Sequence, residues 1–373
     1  MKYIPFELEY WQSVWEQKVD INLTESGVHP IRLEELLGGD TDLLAELLAT
    51  EINYPHVNGT PELRENIALL YDNTGVDNVL VTVGAAEANH IIMQTLLGPG
   101  DEVASMCPTY KQIWGIAENQ NHQVRPFHLM PDSAWALDVD ELNARVNDKT
   151  VLIAVVNPNN PTGHILTAAE MEAVVEAADR VGAWILADEV YRGAERVRKE
   201  ETPSFIGRYD KVLAVGSTSK AYGLPGLRIG WVVGPPDTVE DLWRRHEYTT
   251  ITAAMLSNKL AAYALSPAVR PRLIERSRDY IRAGYPVLRE WMDNQDGLFT
   301  YTPPEASAVT FVHYHLEINS TELMQRLCRE ASVFVGAGDS FGMDHYLRIA
   351  FGQERPLLEK AFSRIQQTLE TYR

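Results

Sequence analysis

Apolar positions in this chain gather into short, largely β-branched runs, each followed by a polar loop. Residues 78–83 alternate, 102–106 form a short run, and 151–156 are continuously apolar; 184–187 and 212–215 follow the same scheme. Such runs predict strands, and the unbroken one predicts a strand covered on both faces. Helical stretches separate them, for example from Gly84 to Leu97. Strands alternating with helices from about residue 47 to about 268 predict a mainly parallel sheet. Residues 228–233 are expected to return as a strand, ending at Gly234-Pro235-Pro236. A helical stretch over 272–293 then leads to a smaller unit, where 309–316, 333–335 and 346–351 read as strands and 356–372 as a helix. The expected organisation is a large domain over residues 47–268, and a small α+β domain made of residues 1–46 and 269–373. A length of 373 residues suits two domains with a large core. No repeat or low-complexity tract interrupts it.

Candidate chemistry sits just after the strands, where open α/β sheets bind ligands. Ser217-Thr218-Ser219-Lys220 follows one run, with Arg228 eight residues beyond the lysine. A lysine at the end of a buried strand loses affinity for its proton and becomes a nucleophilic amine, as imine formation requires. Gly84-Ala85-Ala86-Glu87-Ala88 is either an ordinary tight turn or a helix start whose backbone N–H groups approach a phosphate. Tyr110, in Cys107-Pro108-Thr109-Tyr110, could lie flat on an aromatic ring or pack beneath a helix. Asn157-Pro158-Asn159-Asn160-Pro161-Thr162-Gly163 is a rigid loop from which Asn160 can donate a hydrogen bond. Asp188, opening Asp188-Glu189-Val190-Tyr191, is a helix cap or a functional carboxylate that would keep a pyridine nitrogen protonated.

These motifs together resemble the fold-type-I pyridoxal-5′-phosphate (PLP) enzymes, the class I and II aminotransferases and their relatives, along nearly the whole chain. The resemblance implies an α/β fold with a mostly parallel seven-stranded sheet flanked by helices, plus the smaller domain. It implies that Lys220 anchors the cofactor's aldehyde and shuttles a proton, and that Asp188 pairs with the ring nitrogen. Asn160 and Tyr191 would bond the ring's 3′ oxygen, and Tyr110 would stack on the ring. Gly84, Ala85, Ala86, Ser217, Ser219 and Arg228 would hold the phosphate. Arg348, in YLRIAFG, would fork the substrate's α-carboxylate. Tyr54, in Asn53-Tyr54-Pro55, would reach the phosphate in a neighbouring subunit, implying a homodimer with composite active sites.

Charge and composition narrow the partners. Lys plus Arg number 33 against 52 Asp plus Glu, a net charge of −19, which argues against nucleic acid and anionic membrane. Two cysteines, Cys107 and Cys328, make no disulfide framework, and Cys107 is expected to be a buried thiol. No targeting segment or apolar run of membrane-spanning length is visible, so the expected location is cytoplasmic. No metal site is expected.

The reaction turns on the N-terminal segment. Leu8-Glu9-Tyr10-Trp11 and Asn22-Leu23-Thr24-Glu25-Ser26-Gly27-Val28-His29 resemble the subgroup of the family that forms cyclic arginine-derived amino acids. The resemblance implies dehydration and cyclisation of a hydroxylated arginine. Glu9 could hold the guanidinium or could be a solvated helix-face acid. Gly27 could lie against the substrate or make a turn. His29 is a lid residue, a proton carrier or a structural histidine, and Trp11 reads as packing. The alternatives are an aminotransferase acting on an L-amino acid and a 2-oxo acid, and a non-catalytic regulator on the same fold. Intact Lys220 chemistry and the lack of a DNA-binding extension argue against the regulator.

Overall fold

The structure, a computed structural model, describes residues 3–372. A two-residue strand β1 (Ile21–Asn22) precedes the main sheet, which is built from β2 (Val79–Thr82), β3 (Glu102–Cys107), β4 (Gln123–Met130), β5 (Ala136–Leu137), β6 (Thr150–Val156), β7 (Trp184–Asp188), β8 (Val212–Ser217) and β9 (Gly230–Val233). Its order is β2-β9-β8-β7-β6-β3-β4-β5. The run β8-β7-β6-β3-β4 is parallel, while β9 is antiparallel to both its neighbours. The seven expected strands are thus joined by an eighth, β5, antiparallel at the edge. Two residues show no alternation, so no periodicity marks it. Strand β4 is also silent in the hydropathy pattern, because it is half-exposed and carries Pro126.

Alternation along β6 sends Ile153 and Val155 into one apolar layer with Met171, Val174 and Ala178 of helix Ala168–Val181. Leu152, Ala154 and Val156 enter the opposite layer with Ile91 and Ile92 of helix Gly84–Leu96. Both faces are buried, which is why this strand reads as an unbroken apolar run.

Helix Arg270–Asp293 leads to β10 (Phe299–Tyr301), β11 (Val309–Tyr314), β12 (Val333–Phe334), β13 (Gly336–Ala337) and β14 (Tyr346–Ala350), all of which but β12 form a second sheet. A Cβ on Gly284 would overlap the Phe351 carbonyl, so the long helix meets the end of β14 through a residue without a side chain. The order is β10-β11-β14-β13, antiparallel throughout. Strand β12 pairs instead with β1, in parallel.

That pairing ties the N-terminal segment to β12, which runs within two residues into β13 of the small sheet. Helix Glu7–Trp15 bridges the two units: Leu8 packs beside Met106 and Phe127, whereas Trp11 and Trp15 pack on Met324, Cys328 and Phe334. Trp11 is therefore a packing residue, as its sequence context suggests. Both cysteines are free, and Cys107, expected buried, is only half-buried. Among the described residues no helix is long and apolar enough to cross a membrane, and no group of three or more His, Cys, Asp or Glu could hold a metal ion.

Candidate active site

A cavity of about 410 Å³ lies at the carboxyl ends of β6, β7 and β8, with the N-terminal segment as its opposite wall. One end is built to take an anion. Helix Gly84–Leu96 starts at Gly84 with φ 74° and without a capping side chain from Val83, leaving the N–H groups of Ala85 and Ala86 at its first turn. A Cβ on Gly84 would collide with the Arg228 guanidinium, and one on Gly230 with the Gly84–Ala85 peptide. These two glycines let the arginine and the helix start converge. Arg228 takes a left-handed φ of 51° and its Nη1 reaches Ser219 Oγ at 3.5 Å. Ser217 and Ser219 add hydroxyls at the same end.

Deeper in the cavity Asp188 ends β7, 5% exposed. It accepts from the Val190 N–H at 3.2 Å and from Asn89 Nδ2 at 3.4 Å. Burial outweighs these bonds and raises its carboxyl from 3.8 to about 6. Lys220 enters from the end of β8, and burial lowers its ammonium pKa. This is the property expected of a strand-end lysine that must act as a free amine.

The third charged wall is Arg348 on β14, 2% exposed. It donates through Nη1 to Asn160 Oδ1 at 3.0 Å and through Nη2 to the Thr24 carbonyl at 2.6 Å, while Nε has no partner. A buried guanidinium with an unpaired donor calls for an anion. Tyr110 packs against Phe6 with ring centroids 4.8 Å apart and donates its hydroxyl to Glu9 at 2.6 Å. Tyr191 donates to Ser26 Oγ at 2.8 Å.

The fold thus brings together Ala85, Ala86, Tyr110, Asn160, Asp188 and Tyr191 with Ser217, Ser219, Lys220, Arg228, Arg348 and Glu9 around one cavity. Gly84 and Gly27 back it; a Cβ on Gly27 would lie 3.3 Å from the Ser219 carbonyl oxygen. His29 does not join them. Its ring stacks on Tyr280 at 5.8 Å and its Nδ1 sits 3.1 Å from Gln353 Oε1, so it serves packing. Tyr54 is 79% exposed and does not line the cavity of its own subunit. Sequence reading missed Gln12, Glu25, Asn89 and Gln112, all of which line the cavity. Only the folded protein shows Asn89 facing Asp188 from the neighbouring helix.

These groups fit pyridoxal 5′-phosphate: helix N–H groups, hydroxyls and Arg228 for phosphate, Asp188 for the pyridine nitrogen, Lys220 for the aldehyde. Comparison with known proteins agrees. The family model for aminotransferase class I and II matches residues 42–365. Capreomycidine synthase of Streptomyces vinaceus is 31% identical, over 98% of this chain and 94% of that protein. A PLP-dependent aminotransferase from Streptococcus suis superposes with a TM-score of 0.94 at 31% identity, covering 100% of this chain and 99% of the other. The PLP-dependent cyclase OrfR superposes at 0.88 with 25% identity, covering 100% and 98%.

Proposed function

This chain belongs to the class I and II aminotransferase family and is a PLP-dependent enzyme; on that premise we propose that it dehydrates and cyclises a hydroxylated arginine to a cyclic guanidino amino acid. One observation carries the proposal. The cavity's cations are Lys220, Arg228 and Arg348, and each already matches a group: the aldehyde, the phosphate and the α-carboxylate. Among the described residues no further cation lines the cavity for the second carboxylate of 2-oxoglutarate, and the N-terminal wall instead presents the acid Glu9. The likeness to capreomycidine synthase supports the same reading. The likeness to the Streptococcus suis aminotransferase favours simple amino-group transfer, which is the second reading.

When bound, PLP supplies an aldehyde that condenses with amines and a protonated ring that accepts the electrons left by a departing α-proton. The protein's residues do the rest. Arg348 forks the α-carboxylate and sets the α C–H toward Lys220. The Lys220 amine, whose proton affinity burial lowers, takes the α-proton and returns it. Asp188 holds the proton on the ring nitrogen. In the net reaction the bond from carbon to the hydroxyl oxygen breaks, a bond from carbon to a guanidine nitrogen forms, and one water leaves. No acceptor keto acid is consumed.

Incubation with hydroxylated arginine alone should therefore yield a product lighter by one water. In deuterated water, label should appear at the α carbon, and also at the β carbon when the leaving hydroxyl sits on Cγ, because only then must a β C–H bond break. Glu9→Ala should weaken use of this substrate about ten- to hundred-fold, the range for losing a charge-assisted contact. It should affect α-proton exchange of alanine far less. Strict dependence on 2-oxoglutarate, no loss of water and indifference to Glu9 would together select the aminotransferase.

We also propose that the enzyme works as a homodimer. Leu48, Ile52, Tyr54 and Tyr248 are 80%, 78%, 79% and 93% exposed, an unusual exposure for large apolar side chains unless a second subunit covers them. Sedimentation should show a dimer at assay concentration, and a fully active monomer would rule out Tyr54 as a shared cofactor ligand.

A further inference from the structure

The wall facing Lys220 contains a second carboxylate, Glu25, that lies in the cavity and meets Lys220 only as a long ion pair. Its backbone is pinned on three sides. The Thr24 carbonyl accepts from Arg348 Nη2 at 2.6 Å, and Thr24 Oγ1 accepts from Gln12 Nε2 at 3.1 Å. Ser26 Oγ accepts from Tyr191 at 2.8 Å. Gly27 packs against the Lys220 backbone. The backbone that carries Glu25 is thereby fixed at the cavity wall, which lowers what must be ordered when a ligand binds.

The Glu25 carboxylate is about half exposed, and its Oε2 lies 3.9 Å from Lys220 Nζ. That separation is too long for a hydrogen bond, and among the described residues no hydrogen bond reaches this carboxylate. Glu9, by contrast, already accepts from Tyr110 through Oε1. Both acids act electrostatically on Lys220 and on Arg348. The unpartnered Nε of buried Arg348 marks a place for an anionic group, and Glu9 and Glu25 on the N-terminal wall offer the opposite charge within the same cavity.

We propose that Glu25 is the principal specificity-determining residue of this pocket, accepting the cationic end of an amino acid whose carboxylate is held by Arg348, with Glu9 as the supporting carboxylate. The inference rests on the arginine-derived substrate proposed above and assigns its recognition to a residue outside that argument. A planar guanidinium with five donors suits a carboxylate. A side chain ending in a carboxylate is repelled by the same wall, which adds discrimination against dicarboxylic amino acids.

The test uses the PLP-loaded enzyme and free L-arginine, which has no hydroxyl to lose. Recognition is thereby separated from cyclisation. Exchange of the α-proton in deuterated water is followed by NMR for L-arginine, L-citrulline and L-glutamate. Dissociation constants are measured in parallel from the change in cofactor absorbance. Citrulline matches arginine in shape but has a neutral urea end. Wild type should favour arginine over citrulline in both exchange and affinity, and glutamate should be poorest. In Glu25→Gln the ratio of arginine to citrulline should fall by about ten- to hundred-fold, chiefly through KM and the dissociation constant. Thermal denaturation checks that the variant is folded. Equal losses for arginine and citrulline would overturn the proposal, placing Glu25 at the reacting centre. An unchanged ratio in Glu25→Gln with collapse in Glu9→Gln would overturn it in favour of Glu9. If the arginine preference depends on Glu25 but hydroxylated arginine is never cyclised, the cyclase reading fails and this inference stands.

Discussion

Lys220→Ala should lose the visible absorbance that PLP gains on condensing with a lysine, and turnover should fall by about 10⁴-fold, the upper end for a positioned acid–base group. The size of the loss follows from two tasks in one amine. Lys220 lies three residues beyond the end of β8, where burial lowers its proton affinity and so favours the deprotonated nitrogen that condenses with an aldehyde. The same nitrogen is the group placed to take the substrate's α-proton. Alanine removes both functions and leaves the phosphate end intact, because Ala85, Ser217 and Arg228 do not depend on the lysine. Cofactor should therefore still bind, with the spectrum of a free aldehyde. Equilibrium dialysis combined with absorbance spectra checks both halves. An unaltered spectrum together with an unaltered rate would remove Lys220 from the mechanism.

Asp188→Asn should slow the reaction by about 10²-fold or more, as expected for loss of a catalytic charge. An asparagine keeps the shape and the Asn89 and Val190 neighbours but cannot hold a proton on the ring nitrogen. A variant within a few-fold of wild type would make Asp188 a structural cap. Stability supplies a second, opposite signature. In the cofactor-free protein, burial raises the Asp188 carboxyl from 3.8 to about 6. The folded state then binds a proton that the unfolded state has released. Its contribution is most favourable below the unfolded value and is lost as pH rises through the folded one. The decline spans roughly pH 4 to 6 and amounts to about 3 kcal/mol. Asparagine has no charge to bury, so Asp188→Asn apoprotein should lack this decline. A cationic ring nitrogen beside Asp188 favours the ionised form and should offset it in the loaded wild type. Melting temperatures across that pH range, with and without PLP, test the sign.

Much of the cofactor site was legible in order along the chain because β-α units put their chemistry at strand ends. Lys220, Asp188 and Asn160 each follow an apolar run that stops abruptly at a polar residue, and the folded sheet sets those stops side by side. Gly84 could be read as a close-approach position, and the Arg228 guanidinium fills the space that a Cβ would take. What could not be read was anything that depends on two segments distant in sequence. Asn89 faces Asp188 across 99 positions, and no local pattern connects a helix-face amide to a strand-end carboxylate. His29 shows the converse failure. Its place in a motif suggested a role at the pocket, but the turn after Gly27 carries it out to Tyr280 and Gln353.

The sequence by itself therefore determined the fold class and, through the resemblance its motifs carry, the cofactor, because periodicity and strand-end chemistry are local and survive without coordinates. The tertiary structure decided the character of the substrate wall. Residues 9 and 25 belong to a segment whose position is set by β1 pairing with β12 and by tryptophans packed on Met324, Cys328 and Phe334. Only that long-range packing turns two ordinary surface-type glutamates toward Lys220 and Arg348. Burial then completes what spacing cannot specify: it raises the Asp188 carboxyl, lowers the Lys220 ammonium and leaves Arg348 with a donor to satisfy. Desolvation is a property of the assembled interior, and no residue carries it alone.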